Sequence, residues 1–235
     1  MHRFRTTTAI VAFFQVVACT ELQQVVNQLP SGEVSASEIS AGLKQALEFG
    51  VGQGVDLLHK ENGYFTDEAV KILLPEELKK VDEGLRKIGL SNLADEGLKV
   101  LNRAAEDAVI EAKPIFVNAI KEFTFDDAKR ILISQNDLEA TEYLQNKTGT
   151  ALSRAFSPKI EASLSKVGAD VIWEKIIGRY NSIPLVKPVN PDLTAYVTER
   201  AIAGLFVKVG DKEKEIRNSV AARSTALLQK VFALQ

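Results

Sequence analysis

Asn102, Arg103 and Glu106 bring an amide, a guanidinium and a carboxylate into one five-residue span. On a helix, spacings of three and four put these groups on one side. That side borders an apolar stripe of Leu98, Leu101 and Ala105, so the cluster is expected to be partly buried. Two chemistries fit it. One is a pocket lined by the amide and the carboxylate, with Arg217 or Arg223 as an anion clamp. The other is a network of ion pairs and hydrogen bonds that fixes helix packing, since structural networks collect the same residue types.

Other reactive residues give weaker patterns. Asp126 and Asp127 are neighbours, and adjacent helical positions point about 100° apart, so they do not converge on one metal ion. They suit a helix cap and first turn, where carboxylates meet the positive helix end. His59 and His2 are the two histidines of the chain, too few and too far apart for a multi-histidine zinc site. The run FGVGQGVDLL carries Gly50, Gly52 and Gly54 but lacks the G-x-G-x-x-G spacing and a following Gly-Lys-Ser/Thr. It predicts close helix contact or a break, and no nucleotide loop. No Gly-x-Ser-x-Gly occurs. Trp173, Tyr180 and Tyr196 suit either a pocket rim or burial between helices. No cofactor motif is present, and none is expected.

The single cysteine, Cys19, follows a basic head (His2, Arg3, Arg5) and an uncharged, mostly apolar run from Thr6 to Ala18. About 13 residues suit a signal-peptide core and fall short of the roughly 20 that span a bilayer. Val16-Val17-Ala18-Cys19 resembles the lipobox of bacterial lipoproteins, with valine at the usual leucine position and Gln15 interrupting the apolar core. The resemblance implies a diacylglyceryl thioether on the Cys19 sulfur and cleavage before it. Thiolate chemistry is what makes cysteine the required residue. Cleavage by an ordinary signal peptidase after Val-x-Ala is the alternative. Residues 1–18 are thus expected to be a lipoprotein signal peptide, 19–34 the lipidated cysteine and a flexible tether, and 35–235 a helical domain.

The elements that must position the cluster are helical. Ser35 with Glu38, and Thr124 with Asp127, have the spacing of capping boxes. Ile39, Leu43, Leu47, Val51, Val55 and Leu58 follow the first at helical intervals. Pro75 predicts a helix start with Leu78, Val81, Leu85 and Ile88 as its apolar face and Gly89 as its stop. Pro114 predicts a new segment or a kink. Ser157-Pro158 predicts a cap and a first helical residue, with Gly168 as the stop. Asn190-Pro191 predicts another start after the proline-rich stretch SIPLVKPVNP, and a final helix is expected to carry Val220, Leu227, Leu228, Val231 and Phe232. Alternating strand patterns and fixed-period repeats are missing. The reading is an all-α, single compact domain of about eight to ten helices, without significant β-sheet.

The strings LNRAAEDAV (101–109), AKPIFVNAI (112–120), FDDAKRIL (125–132), DLTAYVTERAIAGLF (192–206) and EKEIRNSVAARSTALLQKVF (213–232) occur in one order and spacing. Together they resemble the bacterial domain of unknown function 4197 family, from about Ser40 to Phe232. The resemblance implies a small secreted or lipid-anchored helical protein of Gram-negative bacteria and carries over no catalytic residue. The family tends to have glycine where this chain has Ser134, and proline where it has Ser219.

Lysine and arginine number 29 against 31 aspartates and glutamates, a formal charge of −2; loss of Arg3 and Arg5 with residues 1–18 lowers it by two, to −4. A mildly acidic, mixed surface lacks the basic footprint of a nucleic-acid binder and argues against a protein held to anionic lipid by charge, an attachment that lipid chains would supply instead. The expected partners are a membrane, through the lipid anchor, and a protein or small ligand. The expected location is the periplasmic side of the envelope, the outer membrane being favoured because Thr20, not aspartate, follows the cysteine. Three functions fit: a non-catalytic interaction or structural protein, a carrier of a small apolar or amphiphilic ligand between helices, and an enzyme with a Glu/Arg-lined cleft.

Overall fold

The computed structural model describes residues 34–235, except 77–78, 80–82, 84–85, 90 and 186 and the side chains of 93 and 94. The expected signal peptide, Cys19 and the expected tether up to residue 33 lie outside the described residues. So do Leu78, Val81 and Leu85 of the helix expected after Pro75. Among the described residues the secondary structure is helical, with no strand.

Helix α1 (Ala36–Leu58) starts where its capping box requires. Glu38 N donates to Ser35 Oγ at 3.3 Å, and Ser35 N donates to Glu38 Oε2 at 2.9 Å. Leu43, Leu47, Val51, Val55 and Leu58 are buried as one stripe. The helix runs through Gly50, Gly52 and Gly54 without a break. A Cβ on Gly54 would sit 3.5 Å from Lys208 Cβ, so close contact between helices is the outcome there.

Helix α2 (Ser91–Ala108) passes through a 3-10 turn, Val109–Glu111, into α3 (Ala112–Lys121). The irregular turn precedes Pro114 and does not begin at it. Pro114 falls in the first turn of α3, where its missing N–H would have no helical partner anyway. Helix α4 (Phe125–Ile133) carries the second capping box, with Asp127 N donating to Thr124 Oγ1 at 3.1 Å.

Helix α5 (Glu139–Ser165) corrects the sequence reading, because Pro158 lies inside it and starts nothing. Leu152, Phe156, Ile160 and Leu164 are fully buried at intervals of four on either side of that proline. Continuous burial of such a stripe outweighs the roughly 3 kcal/mol that an interior proline costs. After Gly168, which takes the left-handed φ of 67°, α6 (Ala169–Asn181) begins. Helix α7 (Leu193–Asn218) is capped by Asp192 and not by Asn190, with Ala195 N donating to Asp192 Oδ1 at 2.8 Å. The last helix, α8 (Ala226–Phe232), is shorter than expected. Thr225 caps it, and Val220 is exposed in a separate 3-10 turn, Val220–Ala222.

Helices α5 and α7 pack along one another, with α1 against α7 and α2 against α5. Phe116 on α3 and Phe206 on α7 meet edge to face at 5.7 Å in the core. Two serines stand where the resemblance leads one to expect glycine and proline, and each fits its local backbone. Ser134 has φ −65°, which needs no glycine, and its Oγ accepts from Asn136 N at 3.1 Å. Ser219 has φ −129° and donates its N–H to Glu215 O at 2.9 Å. A proline could do neither.

Candidate functional site

Asn102 and Glu106 lie one turn apart on α2, and both are buried. Each turns its polar end onto the segment that crosses from α1 back to α2. Asn102 treats Ile72 as a strand partner would. Its Oδ1 accepts Ile72 N at 2.8 Å and its Nδ2 donates to Ile72 O at 2.9 Å. The same Nδ2 reaches back to Leu98 O at 2.7 Å. Thirty residues of chain separate the two clipped partners.

Glu106 holds the turn after α1. Its carboxylate accepts Asn62 N and Tyr64 N, each at 3.2 Å, and its backbone carbonyl accepts from His59 Nδ1 at 2.8 Å. The turn is tight enough to use special conformations. Asn62 has φ 62°, a left-handed value that asparagine tolerates. A Cβ on Gly63 would sit 2.6 Å from the carbonyl oxygens of both Leu57 and Leu58, so the chain passes itself there only as glycine. Tyr64 then drops into the core and donates its hydroxyl to Ala201 O on α7 at 2.8 Å. Burial, and next the Glu106 charge, push that hydroxyl's pKa above the ordinary tyrosine range.

Arg103 is half exposed and pairs with Glu106 at 3.4 Å and with Asp107 at 2.9 Å. Ser163 Oγ donates to Asp107 at 2.7 Å. An open cleft of about 570 Å³ lies over this group, with Lys99 and Lys166 on its walls. The Glu106 side chain is only 2% exposed at its floor. Burial raises the carboxyl pKa above the usual carboxylate value, against the pull of the Tyr64 and Asn62 N–H groups and of Arg103. Both carboxylate oxygens accept from protein donors, so the arrangement holds backbone.

The expected clamp from Arg217 or Arg223 does not form. Arg217 is buried on α7 and pairs with Glu213, four residues earlier, at 2.8 Å, and donates to Ile131 O at 3.0 Å. Glu213 in turn caps α5 from outside, accepting Ala140 N at 2.9 Å and Thr141 N and Oγ1 at 2.7 Å. Arg223 donates to Ile216 O at 3.0 Å and Arg217 O at 2.8 Å, closing the end of α7. Sequence reading missed Glu213, although its spacing to Arg217 is that of a helical ion pair. It also missed Tyr64, whose partner is 137 residues away.

The remaining residues fall into structural places. Asp127 caps α4, and its bond from the Thr124 hydroxyl leads the causes that hold its pKa below the usual value. Trp173 is buried and stacks on Tyr196 at 6.2 Å, while Tyr196 donates its hydroxyl to Leu73 O at 2.6 Å. Tyr180 packs against the core, partly buried. Among the described residues no group of three or more His, Cys, Asp or Glu is placed to hold a metal ion, and no helix is long and apolar enough to cross a membrane.

No match was found among curated proteins or among solved structures. Residues 33–233 match the family described as Protein of unknown function (DUF4197), and the chain belongs to that family.

Proposed function

We propose that the protein is a lipid-anchored, non-catalytic interaction or structural protein on the periplasmic side of the cell envelope, with the outer membrane favoured. Residues 1–18 serve as its signal peptide, Cys19 takes the lipid, residues 19–34 form the tether and 35–235 the domain. The lipobox-like VVAC supports the anchor. The observation that carries the non-catalytic reading is the use of Asn102 and Glu106. The two buried polar groups best suited to chemistry are committed to backbone 30 to 44 residues away.

The carrier reading has less support. The apolar cavity bounded by Leu43, Leu47, Val209, Ile216 and Phe232 is about 20 Å³, room for roughly one water, where ligand pockets run to hundreds of cubic ångströms. The enzyme reading loses its anion clamp with Arg217 and Arg223 engaged elsewhere.

The test uses intact cells. The native chain should carry acyl mass at Cys19, fractionate with membranes and crosslink to a recurrent partner. Cys19→Ala should lose the acyl mass and the fractionation and keep the helical fold. Unchanged membrane fractionation of Cys19→Ala overturns the anchor, and crosslinking that returns no repeated partner overturns the interaction role.

A further inference from the structure

Helix α6 turns one side to the core and leaves a second side bare. Trp173 and Ile177 are buried. Ile172, Ile176, Arg179 and Ile183 follow at intervals of four, three and four, so they form a single row. The turn continues past the helix end, with Ile183 N donating to Tyr180 O at 3.1 Å, which keeps Ile183 in line. The three isoleucines are 58%, 48% and 52% exposed. Val171 and Lys175, both exposed, form the adjacent row.

The charges around α6 are segregated. Arg179 and Lys175 lie among the exposed apolar residues, and no carboxylate falls in either row. Asp170 and Glu174 lie beyond Val171, in a cleft that Val171 shares with Glu161, Pro191 and Asp192. Beyond the helix, Leu185 projects with 105% relative exposure and a left-handed φ of 69°, a costly conformation for leucine. The loop that presents it is fastened at its base. Asn181 accepts Val189 N and donates to Val189 O, each at 2.8 Å, and Trp173 Nε1 donates to Asn190 O at 3.4 Å.

We infer that this face of α6, with Leu185 at its tip, rests on an anionic lipid bilayer. Aliphatic side chains interleaved with cations match the boundary between acyl chains and phosphates, where apolar ends enter and lysine and arginine reach headgroups. A protein interface core is depleted in lysine. This face carries Lys175. A protruding leucine also needs no matching pocket in a fluid surface. The contact goes beyond the lipid on Cys19, and the two are separable by experiment.

The full chain carrying Cys19→Ala is given one new cysteine, at Leu185→Cys or Ile176→Cys, or at Lys129→Cys on α4 as control. Each is labelled with an environment-sensitive fluorophore and mixed with vesicles of phosphatidylglycerol and phosphatidylethanolamine, or of phosphatidylcholine alone. The labels at 185 and 176 should move into an apolar environment on the anionic vesicles, and the label at 129 should not. Lys175→Glu with Arg179→Glu should weaken that response about tenfold or more, as should added salt. Labels that stay in water while the chain sediments with vesicles through its N-terminal segment overturn the inference. So does a response that needs a protein from a cell extract and never occurs on vesicles, which would make the face a protein-docking site. Loss of acylation in the Cys19 experiment leaves this result unaffected.

Discussion

Glu106 and Tyr64 are joined by a hydrogen bond from the Tyr64 N–H to the Glu106 carboxylate at 3.2 Å, across 42 residues of chain. The bond lets one buried acid on α2 fix the turn that drops Tyr64 into the core. Glu106→Ala leaves the N–H groups of Asn62 and Tyr64 without their acceptor. The expected cost is about 2–4 kcal/mol, because each stranded buried donor costs about 1–3 kcal/mol. Glu106→Gln keeps one acceptor but turns an NH₂ on either Arg103 with Asn62 or on Tyr64, so it should cost about 1–3 kcal/mol. Urea unfolding of both variants gives the comparison; wild-type stability in Glu106→Ala would contradict the role.

The same carboxyl sets a pH trend. Its folded pKa is raised, with burial the leading cause. A raised carboxyl contributes stability that is fully present below its unfolded pKa of 4.5 and is lost as pH rises through the folded value. Wild type should therefore lose stability relative to Glu106→Gln between about pH 4.5 and pH 7. Urea midpoints of the two proteins at both ends of that window provide the check, and a constant difference would count against it.

Asn102 and Asn181 use one device at two places, each clipping both backbone groups of a distant residue. Asn102 is fully buried, and Asn102→Ala should cost about 2–4 kcal/mol, since three hydrogen bonds are lost and Ile72 N is left unpaired. Asn102→Asp should be no better, because a carboxylate would face the carbonyls of Ile72 and Leu98. Hydrogen exchange at the Ile72 amide should accelerate in both variants. Asn181 is only partly buried, so Asn181→Ala should act locally, loosening the loop at Val189 with a smaller effect on global stability.

Local order was legible in the sequence wherever two nearby residues decide it. The Ser35–Glu38 and Thr124–Asp127 caps are four-residue patterns, and Gly168 marks its stop through its own φ. Pro158 misleads because its local preference opposes a stripe, Leu152 to Leu164, whose burial is set by other helices. The cluster on α2 was legible by spacing, yet its function was not. Asn102 and Glu106 answer to Ile72, Asn62 and Tyr64, and nothing in the spacing of 102 and 106 names those partners. Arg217 reads by type as a clamp for that cluster, yet its partner, Glu213, lies four residues away.

Glycine at position 63 is required by the backbone and by nothing else nearby. Gly63→Ala would bring a Cβ to 2.6 Å from two carbonyl oxygens in the last turn of α1, and backbone cannot yield as a flexible side chain can. The expected cost is about 1–3 kcal/mol, the range for forced overpacking. Gly52→Ala, in the same glycine-rich region but with nothing within 4 Å, should be neutral or slightly stabilising. Thermal melts of the two variants side by side separate a packing constraint from ordinary helix propensity.

Lys230 on α8 reaches Glu38 in the first turn of α1 at 2.7 Å, tying together residues 192 apart in sequence. The Lys230 bond is the leading cause that lowers the Glu38 pKa from 4.5 to about 2, followed by bonds from the Ser35 N–H and hydroxyl. A lowered carboxyl contributes stability that is present above its unfolded pKa and is lost as pH falls through the folded value, here the window from 4.5 down to about 2. Lys230→Met should raise the Glu38 pKa, though not all the way to 4.5, because both Ser35 bonds remain. Double substitution with Ser35→Ala should raise it further by removing the hydroxyl bond, while the bond from the backbone N–H of residue 35 keeps it below the ordinary glutamate value. Carboxyl chemical shifts followed by NMR through an acid titration would show the two steps. A Glu38 resonance that titrates unchanged in Lys230→Met would mean that α8 does not hold the start of α1 in solution.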